Sequence, residues 1–231
     1  VREFTEIKNM GWIKTHRSGP TGIGKTLEDL LGIVENNADE PDFGDYELKS
    51  GRIDSGSMLT LFTKAPQPPK ANTRLLDKYG YFSDAYIYKR KVLHSTLSAD
   101  RFTLIANTGN SLKINCGEEK ISIESQNGIE DIYWTRESLQ KAFDKKYKNK
   151  LVYVKALHRG RGKDEEFRYT EAYEISGFDY DSMMSLLEEG KIKVDIRIGQ
   201  YADGRTHDHG TGFRILPCDF DKLFRNRVQL V

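Results

Sequence analysis

Cysteine is nearly absent from these 231 residues: Cys116 and Cys218 are the only two, and they stand far apart. Neither belongs to a Cys-x-x-Cys pair or has a histidine at zinc-ligand spacing, which excludes a disulfide framework and a structural zinc site and leaves two ordinary intracellular thiols. No apolar run approaches the roughly 20 residues of a membrane-spanning helix, and the N-terminus lacks the apolar core of a signal peptide. The chain therefore reads as soluble and cytoplasmic. Excess charge is also missing, since 36 Lys and Arg face 35 Asp and Glu for a net +1. That argues against a bulk-basic polyanion binder. Positive charge is instead local, with Lys141, Lys145, Lys146, Lys148, Lys150, Lys155, Arg159, Arg161 and Lys163 in one stretch, diluted by Asp144, Asp164, Glu165 and Glu166. Such a run is either a solvated face or the basic stripe of a nucleic-acid binder. With 37% hydrophobic residues, the length fits one globular domain or two closely joined lobes. Internal repeats and low-complexity tracts are absent.

What is present is concentrated in Pro41-Asp42-Phe43-Gly44-Asp45-Tyr46-Glu47-Leu48-Lys49. Side chains alternate along a strand, so Glu47 and Lys49 share one face while Tyr46 and Leu48 take the other. An acid pair with an amine suits metal-dependent phosphodiester hydrolysis: hard oxygen ligands hold Mg²⁺, the metal polarises phosphate and acidifies water, and an ammonium offsets developing charge. Geometry alone allows either Asp42 or Asp45 as the second acid. Upstream, Leu27, Leu30, Leu31 and Val34 recur at helical spacing, which predicts a helix from Thr21 or Gly22 to Asn36-Asn37. Glu28 lies beside that stripe, as a solvated flank or as a further acid leaning toward the strand.

Gly19-x4-Gly24-Lys25-Thr26 formally matches a phosphate-binding loop. Such a loop must be launched from a buried strand, and the polar, basic Lys14-Thr15-His16-Arg17-Ser18 supplies none. Beyond Lys49, a second strand is expected near 57–63, ended by Pro66, Pro68 and Pro69. Segments 101–105, 111–115 and 120–124 alternate in polarity around Gly109-Asn110 and Gly117, the mark of a meander. Helices are expected at 137–147 and 182–189, and paired strands at 150–156 and 167–175. A half-buried strand should run through Ile192, Val194, Ile196 and Ile198, with Lys193, Asp195 and Arg197 on its other face.

Taken together, Gly22 to Leu31, the Pro41-Asp42-Phe43 and Glu47-Leu48-Lys49 block, Leu59 to Lys64, Asp195 to Gly199 and Thr206 to Ile215 resemble the MvaI/BcnI family of Type II restriction endonucleases. Their catalytic core is similar to that of the mismatch-repair nickase MutH. The resemblance runs in the family's order from near residue 11 to the end of the chain. It implies an α/β (α+β) fold: a PD-(D/E)xK restriction-endonuclease-like core with a mixed sheet flanked by helices, plus a DNA-recognition lobe. The chain would be a single nuclease unit, with a catalytic lobe over about 1–100 and a recognition lobe over 101–231. The family's spacing selects Asp42 over Asp45, so Asp42, Glu47 and Lys49 would be catalytic with Glu28 as the supporting helix-borne acid. Asp42, Glu47 and the carbonyl of Leu48 would hold one or two Mg²⁺. The implied activity is that of a prokaryotic restriction enzyme whose partner is double-stranded DNA, cutting a five-base CC-N-GG sequence before its central pair as a monomer.

Sequence recognition is placed between Arg197 and Arg214. Thr206-His207-Asp208-His209-Gly210 puts donors and acceptors on a tight loop, with Arg197 and Arg214 on flanking strands. Arginine donates bidentately to guanine and aspartate accepts from cytosine, an inventory suited to a G·C-rich target. A transition-metal site at His207-Asp208-His209, or a polar hairpin satisfied internally, are the other readings. Thr63 and Lys64 complete the DNA-binding set, Lys64 with part of the basic run on phosphates. In the branch that reads C or G centrally, histidines occupy the positions held here by Thr63 and Gly212, so the resemblance favours CC/WGG over CC/SGG. A DNA-binding module without cleavage and a hemimethylation-directed nickase remain as other classes.

Overall fold

The structure is a computed structural model that describes residues 1–33, 46–84, 90–147, 150–208 and 210–231. Its elements begin α1 (Arg2–Asn9), β1 (Ile13–Lys14), α2 (Gly22–Leu30), β2 (Tyr46–Arg52), β3 (Leu59–Thr63), α3 (Ala71–Tyr79), β4 (Tyr81–Ser83) and β5 (Arg90–Leu97). They continue β6 (Thr103–Leu104), β7 (Ser111–Cys116), β8 (Lys120–Ser125), β9 (Gly128–Thr135), α4 (Arg136–Lys146), β10 (Lys150–Arg159) and β11 (Glu166–Phe178). The last are α5 (Tyr180–Glu188), β12 (Ile192–Gln200), β13 (Thr206–Asp208), β14 (Gly212–Ile215) and β15 (Phe224–Gln229), with a 3-10 turn over Pro217–Leu223 before β15. None of the described helices is long and apolar enough to cross a membrane.

The chain divides into two units, each assembled from separated segments. The first holds Val1–Leu59, Tyr147–Asp179 and Leu216–Val231; the second holds Thr60–Lys146 and Tyr180–Ile215. The division expected near residue 100 thus falls inside the second unit, between β5 and β6. The reason is strand pairing: β2 and β10 are parallel neighbours, so a long connection must separate them in sequence.

In the first unit the sheet order is β1-β11-β10-β2, with β15 also on β11. Leu151, Val152, Tyr153 and Val154 of β10 are all buried, as befits an inner strand covered on both faces. One face carries Val152, Val154, Phe167 and Tyr169 under Phe4 and Ile7 of α1 and Ile23 and Leu27 of α2. Helix α2 starts at Gly22 but is capped at Leu31, short of the expected asparagines. Val34, Asn36 and Asn37 lie outside the described residues. From Gly22 onward the phosphate-loop match is helix: Thr26 Oγ1 donates to the carbonyl of Gly22 and accepts from the His16 amide, and Lys25 is paired with Asp29 at 2.8 Å.

Across the sheet, the Tyr153 hydroxyl donates to the carbonyl of Pro217 at 2.7 Å, and its ring packs on Phe220 at 4.7 Å. Asp221 is fully buried there and held by Lys155 at 2.9 Å and Arg227 at 2.6 Å, tying the 3-10 turn and β15 to β10. Gly51 lies under this covering. A Cβ at Gly51 would stand 2.3 Å from the Tyr153 hydroxyl oxygen and 2.8 Å from Pro217 Cβ. Gly51→Ala is therefore expected to lower stability by about 1–3 kcal/mol through overpacking, read as a fall in the thermal midpoint; an unchanged midpoint would show that Tyr153 yields without cost.

The second unit contains a sheet ordered β3-β14-β12-β5-β4, with β13 on β12, and a separate β6-β7-β8-β9 meander. The three strands expected for the meander are joined by β9. Val194, Ile196 and Ile198 of β12 are buried with Leu93, Leu97 and Phe213. Phe62 of β3 stacks on Phe213 at 4.8 Å and meets Phe143 of α4 edge-on at 6.1 Å.

Candidate functional site

Strand β2 sets the first cluster. Leu48 packs against the core beneath α1 and α2, so strand alternation turns Glu47 and Lys49 to the opposite face. Lys49 Nζ lies 3.3 Å from Glu47 Oε1, with both side chains partly exposed. The parallel register sets Glu47 beside Leu151 and Lys49 beside Tyr153. The lysine ammonium also lies 5.9 Å from the ring centre of Tyr147, which packs against Phe220 and Phe224. Burial, and then the charge of Glu47, push the Tyr147 phenol far above its ordinary range. Helix α2 faces β2 through Gly24: a Cβ there would lie 3.9 Å from Ser50 Oγ, on the Leu48 face, and 3.8 Å from Oε1 of Glu28, one turn further along the helix. Asp42 and Asp45 lie outside the described residues.

Among the described residues no three His, Cys, Asp or Glu side chains converge as a metal site. The Glu47 carboxylate is a hard-oxygen donor on the face opposite the core. That chemistry fits Mg²⁺.

The second cluster is the polar face of the β12 sheet. Register places Asp195 beside Thr96 of β5 and Gly212 of β14, and Arg197 beside His94. Asp195 is only 7% exposed. Its Oδ1 accepts from Thr96 at 3.0 Å, and its Oδ2 accepts from Arg197 Nε at 2.8 Å and from Arg214 Nη1 at 3.0 Å. One buried carboxylate thus orients both arginines of the expected recognition set. The sequence alone puts Asp195 on this face without giving it a role; the signal for one is its two-residue spacing from Arg197, which forces the two side chains onto one side.

The loop residues divide differently. Both carboxylate oxygens of Asp208 are engaged, one by Asn72 Nδ2 at 2.5 Å and the other by the Gly210 amide at 2.8 Å. This binds β13 to α3. His207 lies with its ring 4.5 Å from that of Tyr201, and His209 is outside the described residues. Thr63 is exposed on β3, its Cβ 3.4 Å from the point a Cβ on Gly210 would occupy. The Lys64 amide donates to the carbonyl of Thr211 at 2.9 Å, and its own carbonyl accepts from the Trp134 indole at 2.8 Å. Its backbone is therefore fixed, while the residue as a whole stays partly exposed. Gly212 has room: a Cβ there would make only ordinary contacts, 3.7 Å to Thr60 and to Arg214.

The chain thus carries an acid–lysine pair on a strand of one sheet and two arginines braced on another. Comparison with known proteins extends this over the whole length. Residues 1–224 match the MvaI/BcnI restriction endonuclease family. The solved complex of restriction endonuclease MvaI with its cognate DNA substrate is 34% identical, at a TM-score of 0.69, over 100% of this chain and 96% of that one. The structure of MvaI in the absence of DNA is 35% identical at the same TM-score, over 100% of this chain and 95% of that one. No curated protein sequence matches at a significant level. Family match, near-complete coverage and an α+β fold shared with these enzymes place the chain in the MvaI/BcnI restriction endonuclease family, as a Type II site-specific nuclease.

Proposed function

We propose that this nuclease hydrolyses both strands of DNA at CC/WGG, acting as a monomer with Mg²⁺, the first unit carrying the chemistry and the second reading the sequence. The observation that carries the reading is the Glu47–Lys49 pair, 3.3 Å apart on the β2 face opposite the core. Asp42, Glu47 and the carbonyl of Leu48 would hold the metal, which when bound supplies charge that polarises the scissile phosphate and makes water more acidic. Lys49 orients the attacking water and places its ammonium where negative charge grows on the phosphoryl oxygens. Tyr147 limits the directions open to that ammonium. Glu28, carried on α2, would tune the second metal or the lysine. Arg197 and Arg214, presented by Asp195, match the O6 and N7 acceptors of guanine. His207 and Asp208 shape the neighbouring loop, His209 is a further candidate for contact with DNA, and Lys64 holds phosphate. One active site per chain requires two successive nicks with reorientation between them.

Preference for A or T at the centre rests on Thr63 and Gly212, neither of which supplies an imidazole. Purified protein incubated with duplexes containing one CCAGG, one CCGGG or one GATC site, with Mg²⁺ or EDTA, resolves the reading on a denaturing gel. Mg²⁺-dependent cutting of CCAGG alone is expected. Cutting of CCGGG would overturn the roles given to Thr63 and Gly212, cutting of GATC would indicate a nickase-type reader, and binding without cutting would make the chain a recognition module.

A further inference from the structure

The basic run of residues 141–163 is divided between the two units. Lys155 is buried against Asp221, Lys150 faces Glu174 at 3.6 Å and Arg159 faces Glu166 at 2.6 Å, all within the first unit. In the second unit, Lys141, Lys145 and Lys146 of α4 line a groove of about 670 Å³ together with Lys64, Thr60 and Phe62 of the β3 segment, and its described lining includes no carboxylate. Two lysines in the last turn of a helix are favoured by its dipole, which accounts for Lys145 and Lys146 locally. It does not account for Lys141 a turn earlier, or for Lys64 converging from another element.

We infer that this groove binds the phosphodiester backbone of the DNA flanking the base-reading face, with Lys141 and Lys145 as phosphate contacts beside Lys64. The assignment rests on the proposed DNA-cutting function and adds the track that holds the duplex. Sheet geometry supports it. β3 is the edge strand, and β14 separates it from β12, so the groove wall stands two strand spacings, roughly 10 Å, from the strand that carries Asp195 and Arg197. A major groove is about 12 Å wide. Side chains reading bases from β12 and β14 would therefore bring a backbone wall to the β3 edge. Lys146 Nζ donates to the carbonyl of Thr60 at 3.2 Å, a contact between α4 and β3 within the groove. Lys141 is held by Glu137 at 2.5 Å on an exposed surface, a pairing weak enough in water to be exchanged for phosphate.

The test is the salt dependence of duplex binding, measured without Mg²⁺ for the intact protein, for Lys141→Ala/Lys145→Ala and for Arg161→Ala/Lys163→Ala, which removes equal charge from the same run. Removing one lysine that neutralises a phosphate lowers the slope of log K against log salt by about 0.9. The groove variant should therefore show a slope shallower by about 2 and bind cognate and unrelated duplexes more weakly by the same factor, with an unchanged thermal midpoint; the control variant should retain the slope. An unchanged slope in the groove variant, or equal reductions in both variants, would overturn the assignment. Failure of the unmodified protein to bind any duplex would instead reject the DNA-cutting reading itself.

Discussion

Lys49→Ala is expected to reduce cleavage by at least about 10³-fold while leaving specific DNA binding within a few-fold of the parent. Removing one donor aimed at developing charge costs about 10²–10³ in kcat, and Lys49 also orients the nucleophile. Binding should survive because the lysine's surroundings are internal: Glu47 at 3.3 Å and the Tyr147 ring at 5.9 Å, with the strand backbone held in register on β10. Its truncation leaves no buried charge stranded, since Glu47 is itself partly exposed. Single-turnover cleavage of a CCAGG duplex in Mg²⁺, beside a gel-shift titration in EDTA, separates the two effects. Glu47→Gln should behave in the same way. If either variant lost binding together with cleavage, the pair would be holding the fold and the proposed chemistry would lie elsewhere.

Much of this site was legible because strand alternation is a strict rule. Glu47 and Lys49 had to share a face, as did Asp195 and Arg197, and β12 runs through Ile192 to Ile198 as its alternation required. Burial of charge was not legible. Lys155 looked like its neighbours in the basic run, but it is buried beside Asp221 because β15 and the 3-10 turn close over it. Nor was it legible that both carboxylate oxygens of Asp208, one of the residues assigned to DNA, are engaged by Asn72 and the Gly210 amide. Strand β15 reads Phe-Arg-Asn-Arg-Val-Gln and is mostly exposed; its structure comes from pairing with β11, a long-range contact that local pattern does not encode. β5 escaped sequence reading for a related reason: Val92 and Leu93, adjacent in sequence, are both buried, which erases the period of two. α3, by contrast, carries Ala71, Leu75, Leu76 and Tyr79 on one buried face, a helical stripe present in the sequence and unread.

Asp195→Ala should damage sequence discrimination more than any single change to an arginine. The carboxylate is nearly buried and its two oxygens serve three donors, Thr96, Arg197 and Arg214. Without it, both guanidinium groups lose the partner that fixes their direction, and an arginine that can no longer present its fork loses bidentate readout. Each bidentate contact is worth about 1–3 kcal/mol of discrimination, so two together amount to about 2–6 kcal/mol. At 1.4 kcal/mol per factor of ten, the ratio of cognate to unrelated duplex affinity should fall by roughly 30-fold to 2 × 10⁴-fold. Binding to unrelated duplex should be retained or strengthened, because two positive charges are released from a negative one and remain available to phosphates. That opposite response distinguishes lost orientation from unfolding, which would weaken both. The measurement is a pair of titrations at one salt concentration, with the thermal midpoint as a fold control; an unchanged ratio would show that the arginines are held by the sheet without Asp195.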